Sequence, residues 1–171
     1  ARHLVELGHR RLLILQPARR IGRPGLTVLK RVVEEEGLPL DVDIEPLSTH
    51  EGEPGLSTED VIARLRDIDG PTFVQVNEAD APRILAAIAA SGLRIPEDVS
   101  VMTTGASSWG ELHRPPLSYT DVDYYECGAL AANLLLALER REDLTRCTIR
   151  GAYYRRESVG PVAGLLADHN V

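Results

Sequence analysis

Five histidines, two cysteines and scattered serines and carboxylates are the residues from which this chain could build a reactive centre. A metal ion needs His, Cys or carboxylate ligands at intervals that bring them together. His3, His9, His50, His113 and His169 form no His-x-x-x-His pair, and Cys127 and Cys147 form no Cys-x-x-Cys pair. No metal site and no cofactor are expected. A phosphate cradle needs several glycines ahead of a helix, so that backbone N–H groups can reach the anion. Gly22-Arg23-Pro24-Gly25 precedes a helical pattern but lacks the Walker Lys-Ser/Thr pair and the Gly-x-Gly-x-x-Gly spacing; it reads as a tight loop with a proline-started helix. A nucleophile would sit on a sharp turn with a His and an acid nearby. Gly105-Ala106-Ser107-Ser108-Trp109-Gly110 is only a loose relative of Gly-x-Ser-x-Gly, and Cys127 falls inside a helix as a small hydrophobe. Glu34-Glu35-Glu36 reads as a solvated helix face.

The elements that must position any site alternate between helix and strand. Helices are predicted over 1–7, 24–36, 58–68 (after a Ser57 cap), 79–91 and 124–140, from apolar residues at helical spacing and Gly or Pro punctuation. Strands are predicted over 12–15, 42–47, 72–76, 99–103 and 117–122, with one or two more in 145–154. The stretch 106–116 reads as a loop containing the sole Trp, Trp109. This alternation implies an α/β fold: a mainly parallel sheet with helices on both faces. Ligands of such sheets lie outside the carboxyl ends of the strands, which points to 16–24, 50–55, 76–80 and 103–114.

Composition narrows the function. With 171 residues there is room for one domain or slightly more. Nineteen Lys and Arg against twenty-six Asp and Glu leave a net charge of −7, a poor balance for binding nucleic acid. The longest apolar run, Leu134–Leu138 with its Ala neighbours, is far too short to span a bilayer, and no signal peptide opens the chain. Two cysteines are too few for a disulfide framework, so a reduced, cytoplasmic setting is expected. The sole methionine is Met102; the chain is read as processed or as part of a longer protein.

Four stretches together resemble the effector-binding core of the lactose/galactose-repressor (LacI/GalR) family of bacterial transcription regulators. They are Leu4-Val5-Glu6-Leu7-Gly8-His9-Arg10-Arg11-Leu12; Pro71-Thr72 leading through Phe73–Val76 to Asn77-Glu78; Ser91-Gly92-Leu93-Arg94-Ile95-Pro96-Glu97-Asp98-Val99-Ser100-Val101; and Arg114-Pro115-Pro116-Leu117-Ser118 followed by Gly128, the Ala/Leu-rich helix and Tyr154-Arg155-Arg156-Glu157-Ser158. The resemblance implies a periplasmic-binding-protein-like (type I) lobe. Its effector would be a small molecule, such as a sugar or sugar derivative, held between two lobes. DNA would be contacted only through a helix-turn-helix domain outside this chain. It divides the chain into a C-terminal lobe (1–122), a helix that in the family belongs to the first lobe (123–143), and return strands with a tail (144–171).

The resemblance carries effector-binding roles to Asn77, Tyr124 and His50, with Arg20 or Arg23 replacing the family's gripping Arg, which is Gly22 here. Asn77 has an equal reading as a helix cap. The family's acidic sugar ligand is absent from Thr103-Thr104-Gly105-Ala106, and its hinge Gln is Val122; the effector is therefore not expected to be an ordinary neutral hexose. A homodimer is expected, with Trp109, Ile84 and Ile88 at its interface. The alternative is a flavodoxin-like α/β enzyme, which would gather His50, Asp80, Ser107 or His113 around one pocket. A secreted solute receptor would need an export signal. The helix 124–140 is apolar on more than one stripe. It is expected to fold back over the sheet or to pair with its counterpart in another copy.

Overall fold

The computed structural model describes residues 1–17, 24–48, 54–67, 69–106, 108–140 and 149–162. Twelve elements follow in order: α1 (Arg2–Glu6), β1 (Arg11–Pro17), α2 (Pro24–Glu35), β2 (Asp41–Leu47), α3 (Thr58–Arg66), β3 (Phe73–Asn77), α4 (Ala81–Ala90), β4 (Ser100–Thr104), α5 (Ser108–Leu112), β5 (Ser118–Asp121), α6 (Tyr124–Glu139) and β6 (Ala152–Tyr154). The strands form one sheet in the order β2-β1-β3-β4-β5-β6. β1 to β5 run parallel, and β6 returns antiparallel along β5, pairing Tyr119 with Tyr154 and Asp121 with Ala152. The expected α/β class, with its mainly parallel sheet, is what forms. The topology reverses at β1, between β2 and β3.

The strands are apolar on both faces because both are covered. On one face Leu13, Leu15, Val74, Val76 and Val101 pack with Val61 and Leu65 of α3 and Ile84 and Ile88 of α4. On the other, Leu12, Ile14, Val42 and Phe73 pack with Val33 of α2 and with Leu4, Val5 and Leu7 at the start of the chain. Local chemistry fixes the helix starts. Ser57 and Asp60 form a reciprocal capping box at α3. Asp123 accepts hydrogen bonds from the Tyr125 and Glu126 N–H groups at α6, at 2.9 and 3.0 Å.

Three expectations are corrected. The stretch 106–116 contains a short helix, α5, whose Trp109 packs against the core beside α4. Gly110 and the Pro115-Pro116 pair mask its helical pattern in the sequence. Second, of the two outcomes expected for α6, folding back over the sheet is not the one that forms: none of its described residues is buried, and Leu135, Leu136 and Leu138 are exposed, as pairing with another copy would require. Third, the segment after β6 is no loose tail as far as residue 162. Ser158 and Val159 are buried, across the amino ends of β4 and β5. Ser158 Oγ donates to the Val101 carbonyl (2.6 Å) and accepts from the Ser118 N–H (2.8 Å). The Gly160 N–H donates to Ser100 Oγ (3.1 Å), and its carbonyl lies 3.1 Å from His9 Nε2. No helix among the described residues is long and apolar enough to cross a membrane.

Candidate functional site

Two cavities of similar size lie at opposite ends of the sheet. The first, about 360 Å³, opens at the amino ends of β1 and β2 and is lined by Arg11, Asp41, Asp43, Arg64, Asp67 and Asp69 among others. Both arginines are engaged: Arg11 pairs with Asp69 at 2.8 Å, and Arg64 bridges Asp43 and Glu45 at 2.9 Å each; with Asp41 and Asp67 also on the wall, the lining is acidic. Such exposed pairs contribute little to stability, but they leave neither arginine free to grip an anionic ligand.

The second cavity, about 330 Å³, lies at the carboxyl ends of β4 and β5, the end where parallel sheets bind ligands. Thr104, Gly105, Thr120, Asp121, Val122, Tyr124 and Gly151 line it. Thr104 and Thr120 are register partners on neighbouring strands, so their side chains stand on the same face of the sheet. Gly105 takes φ +97°, a left-handed conformation that favours glycine. There its N–H donates to the Thr120 carbonyl at 2.8 Å, which joins the two strand ends. Asp121 Oδ1 accepts the Val122 N–H at 2.9 Å. The ring of Tyr124 stands at the first turn of α6, 72% exposed, and offers an open aromatic face. Two hydroxyls, a carboxylate and an aromatic ring can accept and donate to hydroxyl groups and cover an apolar sugar face.

The residues expected at the effector site are only partly brought together. Tyr124 lines the cavity. Asn77, at the end of β3, is buried and turned into its own loop. Its Oδ1 accepts the Asp80 N–H (3.1 Å), and its amide donates to the Asp80 carboxylate. It is not the cap of α4, a position Asp80 holds, but it fixes the turn that leads there. His50, Arg20 and Arg23 lie outside the described residues. Thr104, Thr120 and Asp121 were not singled out from sequence; the signal that could have found them is their place at the carboxyl ends of successive strands.

Behind the cavity wall, Glu78 and Trp109 form a second polar contact. The Trp109 indole N–H donates to Glu78 Oε1 at 3.2 Å, and a Cβ added to Gly105 would lie 3.5 Å from Glu78 Cβ. Trp109 is thus anchored both to the core and to a carboxylate. Ile84 and Ile88, expected at a subunit interface, are core residues at 0% and 1% exposure. Their side chains fill the space between α4 and the sheet and cannot also face another molecule; the outward positions of α4 are Pro82, Ala86, Ala89 and Ala90.

A catalytic cluster is not gathered from the described candidates. Asp80 is engaged by Asn77, and His113 Nδ1 lies 2.8 Å from the Pro115 carbonyl; His50 and Ser107 lie outside the described residues. Among the described residues, the buried histidine is His9. Burial holds its pKa below the ordinary imidazole range, against the opposing effect of its contacts with Gly160 and Thr72. It sits at the amino end of the sheet, away from the second cavity.

Comparison with known proteins agrees with this architecture. A family model for the periplasmic binding protein-like domain matches residues 1–159. No curated protein sequence gives a significant match. Among solved structures, the chain is similar to a LacI family transcriptional regulator from Bifidobacterium animalis subsp. lactis, with TM-score 0.78 and 22% identity over 95% of this chain and 59% of that one. It is similar to a LacI transcriptional regulator from a Rhodococcus species, with TM-score 0.74 and 24% identity over 95% and 60%. A LacI family regulator from Arthrobacter sp. FB24, solved in complex with lactose, gives TM-score 0.71 and 22% identity over 91% and 59%. At these identities the likeness is one of fold, and the chain spans about 60% of the length of these proteins.

Proposed function

Because the chain belongs to the periplasmic binding protein-like domain family, we propose that it is a non-catalytic sensing module of a LacI-type transcription regulator. It binds a sugar or sugar derivative at the carboxyl ends of β4 and β5. The observation that carries this reading is the cavity of about 330 Å³ in which Thr104, Thr120, Asp121 and Tyr124 converge. Lactose in the Arthrobacter relative supports the ligand class. Effector binding would favour one arrangement of this lobe relative to a second, and that differential affinity would alter operator binding by a DNA-binding domain elsewhere in the protein. The unburied leucines of α6 support the division in which residues 123–143 pack against that second lobe. Leaving such side chains in water forgoes about 1.5–3 kcal/mol each relative to burial. A homodimer fits the same reading, with the half-buried Trp109 as its candidate interface residue.

Thermal-shift measurement with panels of sugars, phosphosugars and nucleobases tests the proposal. A true ligand at about one hundred times its Kd stabilises by roughly 2.7 kcal/mol. The reading requires a sugar-class compound to raise Tm, and Tyr124→Ala to diminish the gain. Stabilisation by nucleobases alone, or a gain indifferent to Tyr124→Ala, would contradict it.

A further inference from the structure

The cavity at the carboxyl ends of β4 and β5 has an uneven electrostatic lining. Among the described residues it contains one carboxylate, Asp121, and no Lys or Arg. Several acids of the chain are held in ion pairs: Asp43 and Glu45 by Arg64, Asp69 by Arg11, Asp98 by Arg94, Glu111 by Arg156 and Glu36 by Arg2. Asp121 is not. Its one described partner is the neutral Val122 N–H on Oδ1, which leaves Oδ2 available. The charges following it in sequence are acids, Asp123 and Glu126. Arg150, next to Gly151, is exposed and does not line the cavity.

We propose that Asp121 makes this cavity selective for a sugar bearing a protonated amino group. The inference rests on the proposed sugar-binding function. An ammonium group within reach of Oδ2 forms a charge-assisted hydrogen bond, stronger than one from a neutral hydroxyl. Tyr124, on the wall of the same cavity, presents an exposed aromatic ring to which a cation is also attracted. Thr104 and Thr120 are left for ring hydroxyls. A phosphorylated or carboxylated ligand would meet Asp121 as a like charge with no described cation to offset it. Asp121 thus supplies an acid from β5, whereas the loop after β4, at Gly105 and Ala106, supplies none.

Isothermal titration of the full chain with D-glucosamine, D-glucose and D-glucose 6-phosphate, and with the corresponding galactose series, tests this directly. The probes share a ring and differ in charge. At low salt, and at a pH where the amine is protonated, the amino sugar of at least one series is expected to bind about tenfold more tightly than the neutral sugar, the scale of one charge-assisted hydrogen bond. The phosphate is expected to bind weakest. Asp121→Asn should bring the amino and neutral sugars level, with Asp121→Ser as a second variant should the first fail to fold. Equal affinity for amino and neutral sugars in the native chain would overturn the proposal. So would a preference that survives both substitutions. Binding of the neutral sugars alone would overturn it while leaving the sugar-sensing function intact, and binding of none of the six would overturn both.

Discussion

The two ends of the sheet are built on opposite terms. At the amino end, His9, Ser100, Ser118 and Ser158 are buried at 0–1% exposure, and each has a hydrogen-bond partner among its neighbours. At the carboxyl end of β4 and β5, the groups around the cavity are half-buried or exposed. A hydrogen bond made between buried groups holds the fold; a polar group left open to solvent costs nothing and can be spent on a ligand. On the proposed function, stability and binding are separated along the strands, and substitutions at the two ends should differ in kind.

The largest stability effect is expected in the core that both ends share. Ile88→Ala should cost about 2–5 kcal/mol, measured by urea denaturation, because Ile88 is buried against the sheet. If Ile88 were instead an interface residue, the substitution would change molar mass with little effect on the stability of the monomer. Next is Ser158→Ala. Removing a hydroxyl that both donates to Val101 and accepts from Ser118 leaves a buried N–H without its partner, at a cost of about 1–3 kcal/mol. A smaller cost than this would mean that the amino end is not the lock described above.

A milder contrast is one of pH. In the fold the pKa of His9 is lowered, first by burial, while in the unfolded chain it returns to about 6.5. The unfolded state therefore binds more protons in the acid range. The contribution is fully present above about pH 6.5 and is lost as pH falls below it. Denaturant midpoints recorded from pH 8 to pH 5 should show this decline, and His9→Gln should flatten it. A decline of the same steepness in the variant would assign it to other groups. The smallest stability effect belongs to Tyr124→Ala, at a position 72% exposed. It should stay within about 0.5 kcal/mol yet weaken ligand binding. A large loss of stability there would erase the distinction between the two ends.

Periodicity located the strands and the long helices because each is encoded within a dozen residues. It failed where partners are distant. Ser158 meets Val101 and Ser118, 57 and 40 residues away, and nothing in the local sequence marks Ser158-Val159-Gly160 as buried. The apolar spacing of Ile84 and Ile88 fits a core face and an interface face equally well; only the packed structure separates them. At the cavity, Tyr124 was legible through family resemblance. Thr104, Thr120 and Asp121 were not, since their convergence depends on strand register. Helix α5 was hidden by its length: five residues with a central Gly110 carry too little pattern to read.

Amide chemical-shift mapping during titration with an amino sugar compares both ends of the sheet in a single experiment. Shifts should concentrate at Thr104, Gly105, Thr120, Asp121, Val122, Tyr124 and Gly151, leaving Arg11, Asp41, Asp43 and Asp69 at the opposite cavity unmoved. Shifts centred on the amino-end cavity, with the β4–β5 residues silent, would contradict the placement of the binding site.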